Sequence, residues 1–205
     1  MKMIKPVRLS LLVVFLAALV LPVYAQEKDQ EMSEEQKKMM ESWKKYTFPC
    51  EQHKHIEYFV GEWQSIIKSW NEPGKEPMVR TQEIRVESFF DGRFTRAHIK
   101  TDASDIGMIL ETMVINGYDN FKQEFFSITL SSQRTDYYLT TGKLDGTGKI
   151  RTDTAVRTDI FTGEPYRVKA ITTIINQDKY TYEYYQIDPQ GNEVKKMDIT
   201  YTRKK

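Results

Sequence analysis

Residues 49 to 63 read PCEQHKHIEYFVGEW. Pro49 opens a short helix, about Glu51 to Val60, that gathers Ile56, Phe59 and Val60 toward one side and runs straight into Gly61-Glu62-Trp63. From Gly61 onward the chain reads as strand and turn. This order predicts a mainly β fold: a closed antiparallel barrel whose short helix lies across one mouth as a lid.

Working outward from Trp63, reversals are marked at Asn71 to Pro77, Asp91-Gly92, Gly117 to Asn120, Asp145 to Gly148, Thr162 to Pro165, Gln177 to Lys179 and Pro189 to Asn192. Between them lie segments rich in Val, Ile, Thr, Tyr and Phe. They place ten strands at 62–70, 78–90, 93–101, 108–117, 122–131, 134–143, 149–157, 166–177, 180–188 and 194–203. Ten sequential antiparallel strands leave two long bare edges unless the sheet closes on itself. A barrel wall should alternate between lumen and solvent, yet Ile66-Ile67, Phe89-Phe90, Phe125-Phe126 and Ile174-Ile175 break the alternation. Outer apolar residues then need cover, from the N-terminal helix or a homodimer interface. Tyr180, Tyr182 and Tyr184 share one face, as a packing ladder does.

Before the lid the chain divides in two. Lys2, Lys5 and Arg8, the apolar run Leu9 to Leu21 and Val23-Tyr24-Ala25 form an export signal over residues 1–25, cleaved near Ala25. The run has 13 residues, short of the roughly 20 that a spanning helix needs. The mature chain is expected to begin near Gln26, in periplasm or medium, with no stable membrane insertion after cleavage. Residues 26–48 pattern as an amphipathic helix with Ser33 and Gln36 at capping-box spacing, and its apolar stripe is expected to pack on the barrel wall. Residues 49–205 are the barrel domain. Without the three basic residues of the signal, the 30 Lys and Arg fall to 27 against 29 acids, a net charge of −2 and no footprint for nucleic acid. Cys50, the single cysteine, allows no internal disulfide.

Several landmarks together resemble the bacterial domain-of-unknown-function family 1579: Pro49, His53 and the helix to Gly61-Glu62-Trp63; Trp70 with Pro73-Gly74 and Pro77; Gly92-Arg93-Phe94; Gly117-Tyr118-Asp119; Thr162-Gly163-Glu164-Pro165; and the closing stretch Met197 to Arg203. They run in order from about 49 to 203. The resemblance implies a calycin-like barrel and brings no established activity. In lipocalin-type barrels a Gly-x-Trp tryptophan lies over the closed end with a basic residue of the last strand across it. By that analogy Gly61, Trp63 and Arg203 close the barrel, with His53 near them on the lid.

Chemistry is sparse. His53 and His55, two apart on a helix, face different ways and make no metal pair. No histidine follows His98, where a haem-binding calycin barrel would carry its ligand, and no phosphate-loop, zinc, calcium or nucleophile-elbow pattern appears, so no cofactor or metal is expected. Asp145, Asp153 and Asp188 read as turn and surface carboxylates. Three functional readings follow. In the first, the lumen holds a small apolar or amphipathic ligand, with Trp70, Phe94, Met113, Phe126 and Tyr182 as lumen or rim residues and Arg93 and Tyr118 as polar landmarks. That reading requires a cavity of about 300 Å³ or more. In the second, His98, Arg93 and a nearby carboxylate act as an enzyme's titratable set, which needs His98 to point inward. An interaction module docking through the amphipathic helix is a third.

Overall fold

The computed structural model describes residues 32–205. The expected export signal, residues 1–25, and residues 26–31 of the expected amphipathic segment lie outside the described residues. Two compact units divide after Lys44. In the first, helix α1 (Glu34–Thr47) begins with the expected capping box: the Ser33 N–H donates to Gln36 Oε1 at 2.9 Å and the Gln36 N–H to Ser33 Oγ at 3.2 Å. The second unit, which takes up the last turn of α1, holds helix α2 (Glu51–Glu57) and ten strands.

These strands are β1 (Gly61–Ser69), β2 (Met78–Phe89), β3 (Phe94–Ala103), β4 (Met108–Asp119), β5 (Glu124–Ser131), β6 (Tyr137–Leu144), β7 (Ile150–Thr158), β8 (Pro165–Asn176), β9 (Lys179–Ile187) and β10 (Glu193–Arg203). Each pairs antiparallel with its neighbours in sequence, and β1 pairs with β10, so the sheet closes into a barrel. All ten expected strands form, with ends displaced by up to three residues. The broken alternation resolves simply: Ile67 and Phe125 are buried, whereas Ile66 and Ile175 stay half exposed on the outside. Ile175 falls at a bulge in β8, between Ile174 and Asn176.

Antiparallel order puts loops 90–93, 120–123, 145–149 and 177–178 at one end, here the floor, and loops 70–77, 104–107, 132–136, 159–164 and 188–192 at the other, the rim. Helix α2 packs against β3 and β4 at the floor and buries His53, His55 and Ile56. Its N-terminus is capped within the chain: the Cys50 N–H donates to His53 Nδ1 at 3.0 Å. The strap before it is held by Asn120, whose Nδ2 donates to the carbonyls of Lys45 and Phe48, and by Arg93, whose Nε donates to the Thr47 carbonyl. Tyr46 stacks on Phe121 with ring centroids 4.0 Å apart.

Trp63 is wholly buried at the floor, with Nε1 donating to the Phe59 carbonyl at 2.8 Å. Arg203 stands opposite it in the β1–β10 register, its guanidinium carbon 4.0 Å from the indole centroid. The same guanidinium donates to the carbonyls of Val60 at 2.7 Å, Tyr58 at 2.8 Å and Gln177 at 3.2 Å. Gly61 makes room for it: its φ of +123° suits glycine, and a Cβ there would lie 2.8 Å from Arg203 Nη1. Replacing Arg203 by Gln removes a cation–π contact worth about 0.5–2 kcal/mol and charge-assisted hydrogen bonds worth about 1.5–3 kcal/mol each before compensation by water. Arg203→Gln should therefore lower the urea midpoint by the equivalent of roughly 2–4 kcal/mol, with Arg203→Lys in between; an unchanged midpoint would show that the clasp is decorative.

Candidate functional site

Inside the barrel, Phe59 and inward residues of β2 to β10 surround a cavity of about 300 Å³, at the lower bound of ligand pockets, which run from about 300 to 1,000 Å³. Its wall is divided. β2, β3, β4 and β10 present mostly apolar residues, Ile84, Val86, Ala97, Ile99, Val114 and Ile199, with Gln82, Thr112, Asn116 and Tyr201 as their polar members. β5 to β9 present hydroxyls and charges. A hollow of about 760 Å³ at the rim, between Pro73, Val156, Tyr166, Gln186 and Val194, is larger. The lumen is the better candidate because polar groups converge in it and apolar surface surrounds them.

Arg151 and Asp153 sit on β7 two residues apart and so face the same way. Both are buried, 8% and 2% exposed, and pair through Arg151 Nε and Asp153 Oδ2 at 2.8 Å. Arg151 Nη2 donates to Ser127 Oγ at 3.0 Å, Ser127 Oγ donates to Asn116 Oδ1 at 2.6 Å, and the guanidinium lies 5.5 Å over the Phe125 ring. Asp153 Oδ1 has no hydrogen-bond partner and leans on Gly142, where a Cβ would come within 2.4 Å of it. Only glycine leaves that carboxylate its place.

Farther toward the rim, Arg157 stacks 4.0 Å over the Tyr138 ring, and its Nη1 donates to the Tyr184 hydroxyl at 3.2 Å. Tyr182 lies deep in the barrel yet is only half-buried, because its bare side faces the cavity. Burial first, then the Tyr138, Tyr201 and Tyr184 hydroxyls and the Asp153 carboxylate, raise Tyr182 well above the ordinary phenol range. Burial likewise raises Tyr201 and Tyr184. All stay neutral donors at physiological pH. Below the cavity, His55 lies between the rings of Phe59 and Phe125 with its Nε2 unpartnered. Burial first, and the Arg151 charge second, lower its pKa to about 4, against a hydrogen bond to the Gly148 backbone that raises it.

Of the residues expected to meet a ligand, Tyr182 lines the cavity and the others do not. His98 is on the outer face, its side chain 47% exposed and Nε2 4.0 Å from Glu111, which removes the inward histidine that the enzyme reading needs. Met113 pairs laterally with His98 and Leu130 on that outer face. Phe94 and Phe126 flank Gly117 in one cross-strand row outside the barrel. Trp70 follows the end of β1 and donates its backbone N–H to the Lys196 carbonyl. Arg93 anchors the strap, and Tyr118 packs on His53 and Phe125 at the floor. Asp153 is corrected from a surface carboxylate to a lumen one. Arg151, Arg157, Tyr138 and Tyr201 were not singled out by sequence, and Tyr184 only as a rung of a packing ladder; the alternation Arg151-x-Asp153-x-Ala155-x-Arg157 was the available signal.

The family described as "Protein of unknown function (DUF1579)" matches residues 48–203. No curated protein matches the chain. Among solved structures, the crystal structure of Rv2717c from M. tuberculosis is similar with TM-score 0.57 at 10% identity, covering 77% of this chain and 100% of that one, and it shows the same fold. A protein of unknown function from the DUF3598 family of Nostoc punctiforme, at 9% identity, covers 76% of this chain and 100% of its own with TM-score 0.23, too low to carry an argument.

Two stability measurements follow from this site. Above pH 6.5 His55 is neutral whether folded or not; as pH falls from 6.5 toward 4 the unfolded chain takes up a proton that the folded one refuses. That difference costs about 3 kcal/mol by pH 4, so urea midpoints should fall over this window, and less steeply in His55→Phe. Asp153→Asn leaves Arg151 buried without its counter-charge and should cost about 3–5 kcal/mol; a loss under about 1 kcal/mol would place the pair in solvent.

Proposed function

The chain belongs to the DUF1579 family of proteins of unknown function, and for this member we propose a binding role: an exported barrel that holds one small amphipathic molecule in its lumen. The observation that carries the reading is the divided wall around unfilled volume. An apolar face from Ile84 to Ile199 offers dispersion contact and removal of apolar surface from water, about 25 cal/mol per Å², while neutral phenols and a guanidinium opposite offer directed hydrogen bonds. A barrel interior needed only for stability is filled by side chains. Here the space has been left, and buried polar groups have been kept in it at a cost in desolvation.

The basic start, apolar run and small-residue end of residues 1–25 support an exported address, periplasm or medium. In the binding reading the protein does not transform its cargo.

Native mass spectrometry of the protein isolated from its own cells, compared with its denatured mass, tests this. The native species should carry a reproducible excess mass, and N-terminal sequencing should begin near Gln26. Ala170→Leu, which grows a buried lumen residue into the cavity, should abolish the excess while costing about 1–3 kcal/mol of stability. A bare mass that persists after lipid extract is added back would refute the binding role.

A further inference from the structure

The charge inside the barrel does not balance. Around the cavity stand two guanidiniums, Arg151 and Arg157, and one carboxylate, Asp153. Asp153 is committed to Arg151 at 2.8 Å. Arg157 has no carboxylate within ion-pair distance among the described residues: its contacts are the Tyr138 face and the Tyr184 hydroxyl. Asp136 feels its charge but is held by Arg134 through both oxygens, at 2.6 and 2.5 Å. A guanidinium carries five N–H donors, and Arg157, which lines the cavity, spends one of them on Tyr184 among the described residues. Because the Tyr184 oxygen accepts from Arg157, its own proton is free to be given elsewhere.

On the binding reading above, we infer that the lumen selects a singly charged anionic amphiphile, a compact apolar body carrying one carboxylate, with the carboxylate bound by Arg157 and Tyr184 and the body laid against Ile84, Ile99 and Ile199. Such a ligand completes the charge balance and supplies two acceptor oxygens in the plane that a guanidinium fork fits. A cationic head would meet Arg157 directly. A neutral alcohol would leave it desolvated and unpaired, which is why the site discriminates. A cavity of about 300 Å³ takes a single chain or ring system and is too small for a two-tailed lipid.

The test is calorimetric titration of the full mature protein at neutral pH with three ten-carbon probes: decanoate, decanol and decyltrimethylammonium. Decanoate should bind roughly 10- to 100-fold more tightly than decanol, and the cation most weakly. Arg157→Gln should weaken decanoate until its preference over decanol is lost, and Tyr184→Phe should reduce that preference in the same direction, so that a folding defect in one variant leaves the other to decide. Decanol binding as tightly as decanoate, or a preference that survives Arg157→Gln, would overturn the anion assignment and leave the binding lumen standing. No binding of any probe to protein shown by native mass to be empty would overturn both.

Discussion

The pairing of β1 with β10, with Trp63 opposite Arg203, is the contact on which everything else depends. Without it the sheet is an open meander with two bare edges. With it there are no edges, and the chain must then decide what to put inside. At the floor the answer is protein: helix α2, Trp63, Tyr180 and the Arg203 guanidinium fill the section and satisfy the carbonyls of Tyr58, Val60 and Gln177. In the middle section the answer is only partly protein, and volume remains.

That contrast separates three uses of arginine in one barrel. Arg203 is spent on carbonyls and an indole at the closed end. Arg151 is balanced by a buried aspartate, whose second oxygen rests against Gly142. Arg157 is supported but not neutralised, since aromatic faces and a phenol orient a cation without cancelling its charge. The lumen is therefore polarised along its length as well as across it, with its one uncompensated charge toward the rim and its apolar packing toward the floor.

The ten strands and the lid were legible because turn residues and β-rich segments repeat along the chain, and the landmark residues fixed where the barrel begins and ends. The inside of the barrel was much less legible. A period of two says that Phe94 and His98 share a face, and Tyr180 and Tyr182 another, but not which of the faces is enclosed. His98 looked like a lumen group for want of other titratable candidates, and it is outside, among Arg96 and Lys100. Asp153 looked like a surface carboxylate because charged residues usually are. Its burial depends on Arg151 two positions before it and on Gly142 on the preceding strand, and only the register of β6 and β7 brings those three together.

The clasp at the floor also dictates when the barrel can exist. Arg203 reaches back to Val60 across 143 positions of chain, so the first strand finds its second neighbour only when the last strand has been made. No N-terminal portion can close early. Contacts of such long sequence separation form slowly, and through that delay the chain is a thread of strands with unpaired edges. A protein built this way keeps an unpaired edge until its last strand pairs, and that leaves it dependent on protection while it waits.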